Sequence, residues 1–432
     1  MTDADVRNLA LNVLVDVLEK ECFSHIAIQR DLNSRTDLSD RDKKFAMYLI
    51  RGTIQRKLTL DHVLEQFSKT PIKKMKPIIR TILRMSVFQI LYMDSVPDRA
   101  VCNEAVRLAK RRGFSGLSGF VNGVLRSVIR GREEIRWPDR EKEPEQYLSI
   151  CYSMPVWLVK KWISDYGVST CENMLKAFQA ERLVTVRPNP DKTDADSLQR
   201  VLETEGLSCK RLQDPSYAIA IDGLVNLTSL QAFQDGLFYI QDAASMHVAD
   251  FSQAKQGDLV IDVCGAPGGK SIQIAQNLQG SGKVITRDLS EKKVSLIHEN
   301  IVRMGLKNIQ AQVWDARKTD PSLIQKADVV IADLPCSGLG VTGRKAEIRY
   351  RISPSDIDAL VSLQREILSV VSEYVRPGGV LLYSTCTVTK EENDDTVKWF
   401  SDLHPEFTLV LQKQYFPSKE TDGFFIAKWE HK

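Results

Sequence analysis

Asp258-Leu259-Val260-Ile261-Asp262-Val263-Cys264-Gly265-Ala266-Pro267-Gly268-Gly269-Lys270-Ser271 decides the fold. Leu259, Val260, Ile261 and Val263 form a short apolar run of the kind buried on both faces of a parallel sheet. The glycine turn from Cys264 to Gly269 follows, and Ile272, Ile274, Ala275 and Leu278 then predict a short helix from about Lys270 to just before Gly280. Strand, glycine turn and helix open a doubly wound nucleotide or cofactor site. There the absent side chains let a ligand lie against backbone and helix N-terminus.

Two ligand classes compete for this turn. Gly269-Lys270-Ser271 supplies the end of a phosphate-binding P-loop, but its required first glycine falls on Cys264. An NTPase therefore stays only as an alternative, with Asp333 mimicking the magnesium-holding acid. The glycines also miss the dinucleotide spacing. Three further apolar runs each lead to an acid: Lys283 to Asp288, Ile309 to Asp315, and Ala327 to Asp333. In a doubly wound sheet these carboxylates share the edge where ligands bind. Acids suit ribose hydroxyls, an exocyclic amine and a sulfonium, which makes S-adenosyl-L-methionine the expected cofactor.

The 432 residues are enough for two or three domains. The net charge of +3 is unevenly spread: residues 1–140 hold 26 Lys+Arg against 17 Asp+Glu, the remainder 33 against 39. A basic first third implies a polyanion contact. The 8 cysteines are scattered, without a Cys-x-x-Cys pair or histidines at ligand spacing, which argues against bound metal and a disulfide framework. The N-terminus does not read as a signal peptide, and no uncharged stretch approaches a membrane span. The expectation is a cytoplasmic protein without metal or membrane, and a monomer, since no heptad pattern suggests otherwise.

Residues 6–130 carry helical stripes, beginning with Val6, Leu9, Ala10, Val13, Leu14 and Val17. Leu38-Ser39-Asp40-Arg41-Asp42 is a helix start signal, and Pro77 opens another helix. Ile82-Leu83-Arg84-Met85-Ser86, Val96-Pro97, Asn103 to Lys110 and Phe120 to Arg126 resemble the NusB-type helical RNA-binding domain. That resemblance implies a bundle of about seven helices on ribosomal RNA, with Arg51, Arg56, Lys57, Lys73, Lys74, Lys76, Lys110, Arg111 and Arg112 as candidate contacts. Residues 131–145 read as a linker. A small α+β piece follows, with a strand at Val184–Asn189 and a helix at Asp194–Glu205; by resemblance it is RNA-recognition-like. The expected chain is multidomain: an all-α bundle at 1–135, linker and α+β subdomain at 136–235, and an α/β doubly wound, Rossmann-like class I methyltransferase domain at 236–432.

Asp333-Leu334-Pro335-Cys336-Ser337 and Tyr383-Ser384-Thr385-Cys386 end two successive strands, neighbours in a 3-2-1-4-5 order. Two cysteines beside a cofactor pocket suit cytosine methylation. Carbon 5 of cytosine is a poor nucleophile until a thiolate adds at carbon 6; later the carbon 5 proton must leave and the thiol be eliminated. Thr389-Lys390-Glu391-Glu392 reads as a capping box, placing Cys386 just before a helix start and favouring it as nucleophile. Cys264 reads as a size and backbone choice.

Cys264 to Lys270, Asp333 to Gly340 and Tyr383 to Cys386 resemble the RNA 5-methylcytosine methyltransferases of the RsmB and Sun group. The resemblance covers nearly the whole chain. It implies methyl transfer to carbon 5 of a cytosine in 16S rRNA, cytosine 967 in conventional rRNA numbering, with Cys386 as nucleophile and Cys336 in product release. It implies that Cys264, Gly265, Ala266, Pro267, Gly268, Gly269 and Lys270 cradle the cofactor. Asp288 would hold its ribose, Asp315 its adenine edge, and Asp333 the methionine amine or the cytosine amino group. Gly265, Ala243 and Ala346-Glu347 stand where Ala, Glu and Pro-Asp are commoner, the last in the substrate loop. The alternatives are another rRNA or tRNA cytosine, or a non-catalytic NusB-like assembly factor. Naked RNA and a partly assembled subunit both remain open as substrate.

Overall fold

The computed structural model describes residues 3–35, 37–222 and 227–432. They form two compact units. One holds the chain up to Gln179 together with Thr342–Arg351, the other Ala180–Val341 with Ile352–Lys432.

The first unit is helical. Seven α-helices among its described residues run to Arg130, from Asp3–Glu19 to Ser118–Arg130. The stripe of Val6, Ala10, Val13, Leu14 and Val17 is buried against the others, as its spacing requires. Ser39 caps the helix Asp40–Gln55 by accepting from Asp42 N, and Pro77 sits in the first turn of Pro77–Tyr92, where its missing N–H costs nothing. That helix is central, and its Arg84 is buried between Asp61 (2.6 Å) and Glu19 (3.1 Å). The expected linker ends in a helix, Pro144–Cys151. Val156–Gln179 follows, broken at Gly167, whose φ of +80° glycine tolerates. It buries Leu158, Val159, Trp162 and Phe178.

Thr342–Arg351 belongs to this helical unit. Ala346 joins its core, and buried Glu347 accepts from Ser24 N at 2.8 Å. The Tyr350 hydroxyl donates to Ile54 O and Gln55 O, and Arg351 to Val17 O and Cys22 O. Ala346-Glu347 is thus internal structure of the helical unit.

In the second unit, strands β1 (Val184–Pro188), β2 (Cys209–Arg211), β3 (Ile219–Ile221) and β4 (Phe238–Ile240) form an antiparallel sheet ordered β2-β3-β1-β4. The helix Ala195–Thr204, capped by Asp194, packs Leu198 and Leu202 on Val186, Ile219 and Phe238. Seven more strands complete the unit: β5 (Leu259–Asp262), β6 (Lys283–Asp288), β7 (Ile309–Val313), β8 (Ala327–Asp333), β9 (Val375–Thr385), β10 (Phe407–Tyr415) and β11 (Phe424–His431). Their order is β10-β11-β9-β8-β5-β6-β7, parallel from β7 to β9 and antiparallel at β11 and β10. This contains the expected 3-2-1-4-5 arrangement. Alternate residues of β5 and β8 enter opposite apolar layers: Ile261, Val330 and Ala332 one, Val260, Val329 and Ile331 the other. Chain order reverses between β5 and β8, the switch point at which such sheets bind ligands.

Candidate active site

The first strand runs into the glycine turn as expected. Gly265 N donates to Arg287 O, Gly268 N to Gly265 O, and the helix Gly269–Asn277 starts from Gly268. Gly268 has φ +109°, a conformation that other residues rarely adopt. Gly265 answers a packing demand instead: a Cβ there would lie 2.1 Å from Thr286 Oγ1. That hydroxyl fills the space the commoner alanine would use, and it bonds to Ser271 Oγ at 2.9 Å. Gly265→Ala is therefore expected to destabilise the protein by about 1–3 kcal/mol. Gly265→Ala with Thr286→Ala should recover most of that loss, a non-additivity that denaturant melts of the four proteins would measure.

A cavity of about 220 Å³ opens beside the turn. Of the expected site residues, Gly265, Ala266, Pro267, Gly269, Lys270, Asp333 and Cys386 line it; Cys264, Gly268, Asp288, Asp315 and Cys336 do not. Asp288 ends β6 and accepts from Ser290 N, with Lys293 at 3.5 Å. Asp315 lies beyond the end of β7, and both its oxygens are engaged by Arg317, at 3.0 and 2.8 Å. This pairing lowers its pKa. Burial pushes the Cys264 thiol up, which suits its reading as a size choice.

Asp333 is the hinge of the site. Its Oδ2 accepts from Lys270 Nζ at 2.7 Å and its Oδ1 from Ser384 Oγ at 2.6 Å. β8 and β9 pair Asp333 with Ser384 in register, which fixes that bond. Burial would discharge Lys270, but Asp333 and then Asp262 outweigh it and raise its pKa, so the ammonium persists.

Asp262 was not singled out from the sequence. It also closes an apolar strand, but Val263 continues the run and hides the pattern. It is fully buried, accepts from Ser271 Oγ at 2.5 Å on Oδ2, and lines the cavity. Burial raises its pKa to about 6. Oδ1 is shut from solvent without a well-formed hydrogen bond, although the Cys264 N–H favours its charge. Also unforeseen were Asp242, whose carboxylate caps Ala243–Ser252, and Phe424, whose ring lies 5.3 Å from Lys270 Nζ. They come from segments distant in sequence and carry no motif. An orphaned carboxylate oxygen, a glycine wall and a neutralised Lys270–Asp333 pair fit the cationic amino-acid end of S-adenosyl-L-methionine.

Cys336 and Cys386 meet, their Sγ atoms 3.2 Å apart. The bond to Cys386, then burial, drive the Cys336 pKa well up. The capping-box expectation needs correction. The next helix starts only at Asp394, after Asn393, and Glu392 accepts from Ser337 N and from the Thr389 hydroxyl rather than opening a helix. Gly340 N donates to Cys386 O and Gly423 N to Gly340 O; a Cβ on Gly340 would lie 2.0 Å from Gly423 O. Gly340→Ala should therefore push the Cys386 turn aside, costing about 1–3 kcal/mol of stability. Labelled methyl transfer, measured beside a melt, should fall at least tenfold, since misplacement by about 1 Å suffices for that.

Some candidate RNA contacts on the helical unit are committed elsewhere. Arg56 lies 4.1 Å over the Tyr92 ring, Lys57 pairs with Asp61, and Arg112 donates to Asn8 O. Lys73, Lys74, Lys76, Lys110 and Arg111 are exposed. No helix among the described residues is long and apolar enough to cross a membrane, and no described group of His, Cys, Asp and Glu could hold a metal.

Residues 251–430 match the family described as 16S rRNA methyltransferase RsmB/F, residues 4–130 the NusB family, and residues 154–228 the ferredoxin-like domain of RsmF/B-like methyltransferases. The helical unit thus contains a NusB domain, the four-stranded sheet belongs to a ferredoxin-like domain, and the seven-stranded sheet is a Rossmann-like methyltransferase. The chain is similar to the probable ribosomal RNA small subunit methyltransferase B of Bacillus subtilis (strain 168), 35% identical over 100% of both chains. The probable protein of the same name from Synechocystis is 31% identical over 98% of each. In fold, the structure of PH0851 matches 98% of each chain with TM-score 0.84 at 24% identity. A methyltransferase homologue from Pyrococcus horikoshii matches 67% of this chain and 99% of its own, with TM-score 0.60 at 24% identity. With full-length similarity to such relatives and its catalytic half matched, the chain belongs to the RsmB/F family of 16S rRNA methyltransferases, which take their methyl group from S-adenosyl-L-methionine.

Proposed function

We propose that this enzyme methylates carbon 5 of a cytosine in 16S rRNA, cytosine 967 being the target, through a covalent bond between Cys386 and carbon 6. The observation that carries this reading is the pair of thiols 3.2 Å apart, one of them lining the cavity beside the glycine turn. S-adenosyl-L-methionine supplies an electrophilic methyl on a sulfonium. Cys386 Sγ adds to carbon 6 as thiolate, which turns the ring into an enamine with a nucleophilic carbon 5. Lys270 and Cys386 line the same cavity, which puts the ammonium and the attacking sulfur on one wall of the site. After methylation the carbon 5 proton passes to water, its bonding pair restores the carbon 5–carbon 6 double bond, the carbon 6–Sγ bond breaks, and that bond's electron pair returns to Cys386 Sγ. Cys336, hydrogen-bonded to that sulfur, serves this release.

The cofactor is held by Gly265, Ala266, Pro267, Gly269 and Lys270, with Asp262 and Asp333 toward its amino-acid end. Cys264 and Gly268 shape the turn. Asp288 and Asp315 act at the same sheet edge, toward ribose and adenine; Asp315 does so only once its Arg317 pairing gives way. The exposed lysines of the NusB domain supply phosphate contacts, which add affinity but little sequence choice. The enzyme acts as a cytoplasmic monomer on 16S rRNA. Bisulfite mapping of rRNA from cells with and without the gene tests the target. Loss of 5-methylcytosine at one small-subunit position is expected, and an unchanged map would refute the reading.

A further inference from the structure

A buried polar layer lies behind the two thiols, and methyl transfer as described above does not use it. Glu392 is fully buried, yet its carboxylate accepts four hydrogen bonds. Oε1 takes Ser337 N at 2.8 Å and Gln364 Nε2 at 3.1 Å; Oε2 takes Ser337 Oγ at 2.5 Å and Thr389 Oγ1 at 2.6 Å. A carboxylate so fully satisfied away from water is a rigid fixture. Ser337 is the residue after Cys336. Gln364 Nε2 also donates to the carbonyl of Pro335, the residue before it, at 2.9 Å. Both neighbours of Cys336 are therefore tied to Glu392, one directly and one through a single amide.

The next residue does the same for the other thiol. Asn393, also fully buried, accepts from Thr385 Oγ1 at 2.6 Å and donates to Thr387 O at 3.3 Å, and these two residues flank Cys386. The loops are then joined to each other. Because Ser337 Oγ donates to Glu392, Thr387 Oγ1 is the donor in its 2.7 Å bond to Ser337 Oγ. One dipeptide thus braces both sulfur-bearing loops, with a hydroxyl bridge between them.

We propose that Glu392 and Asn393 are a positioning pair for the reaction: Glu392 fixes the Cys336 loop, Asn393 fixes the Cys386 loop, and together they hold the two sulfurs in register with the base. The proposal rests on the roles given to the thiols above. Its chemistry follows from the geometry. Cys386 needs its attacking direction set to within a fraction of an ångström, and Cys336 must remain on that sulfur through addition and release. Glu392 also contributes charge, since its carboxylate is among the groups that keep the Cys336 proton in place.

Glu392→Gln in the full chain tests this. The amide keeps the shape and one acceptor oxygen, but turns an NH2 toward hydroxyl donors and removes the charge. The expected kcat for rRNA methylation falls about tenfold or more, while KM for rRNA and Kd for S-adenosyl-L-methionine stay within about twofold. In the ligand-free protein, iodoacetamide labelling of Cys336, followed peptide by peptide with pH, should have its midpoint moved to lower pH. A structural role alone would not move that midpoint. Thr387→Val removes only the bridge; it should lower kcat with binding retained, and it decides the matter if Glu392→Gln does not fold. Wild-type kcat in the variant that folds overturns the proposal. So does an unchanged Cys336 labelling profile in Glu392→Gln, or a loss of cofactor binding as large as the loss of kcat. Failure of the underlying reading is separate: it would show as methylation by a Cys386→Ala protein, whereas the labelling profile is read without substrate.

Discussion

Cys386→Ala is expected to reduce labelled methyl transfer to small-subunit rRNA to background, a loss on the order of 10⁴-fold or more, because a covalent nucleophile has no substitute in the site. The fold should be intact, since removing one sulfur from a half-buried position leaves only a small defect. Cys336→Ala should behave differently. With Cys386 still able to add and nothing hydrogen-bonded to its sulfur to assist release, the protein should accumulate a complex with RNA that survives a denaturing gel. The adduct should require both S-adenosyl-L-methionine and Cys386, so Cys336→Ala with Cys386→Ala should show none. Absence of an adduct from Cys336→Ala would refute the division of labour between the thiols, and an adduct formed by Cys386→Ala would reverse it.

Asp262→Asn should trade binding for stability. The Asp262 carboxyl has its pKa raised by burial from 3.8 to about 6, so ionising it costs the folded protein on the order of 3 kcal/mol at neutral pH. For an acid with a raised folded-state value, the unfolded chain ionises first. The cost is absent below about pH 4, grows between pH 4 and 6, and is complete above. Asparagine carries no such cost, so the ligand-free variant should unfold at higher urea than wild type at pH 7.5 and at nearly the same urea at pH 4. The orphaned Oδ1 is the reason to keep the charge. Without it the cationic end of S-adenosyl-L-methionine loses its partner, and calorimetry at pH 7.5 should show affinity down by about 100-fold. Wild-type affinity should itself fall as pH drops below 6, by at most about tenfold per pH step, while the variant shows no such dependence. A variant that binds normally, or is less stable at pH 7.5, would contradict this account.

These tests depend on residues of unequal visibility in the sequence. The apolar runs around Val260, Ile285 and Val330 are local patterns set by burial on two faces of a parallel sheet, and they could be read directly. The glycine turn was legible because backbone geometry and close approach restrict residue type strongly. Asp262 was not: its carboxylate matters through burial and one missing hydrogen bond, which depend on Ser271, Thr286 and Asp333 arriving from elsewhere. The Glu392 signature was visible but misread. Four residues at capping spacing suggested a helix start, and the folded chain spends that carboxylate on Ser337, a long-range partner, as well as on the Thr389 hydroxyl.

The sequence by itself determined the strand and helix pattern, the glycine turn and the two cysteines at strand ends, since each follows from local periodicity or turn chemistry; the strand order was that usual for a doubly wound sheet. Only the tertiary structure decided that the sulfurs approach to 3.2 Å, that Asp315 is already paired with Arg317, and that Ala346-Glu347 is core of the helical unit. The physical reason is range. Periodicity and turn chemistry act over a few residues, whereas hydrogen-bond partners and desolvation are set by groups that meet only when the chain has folded.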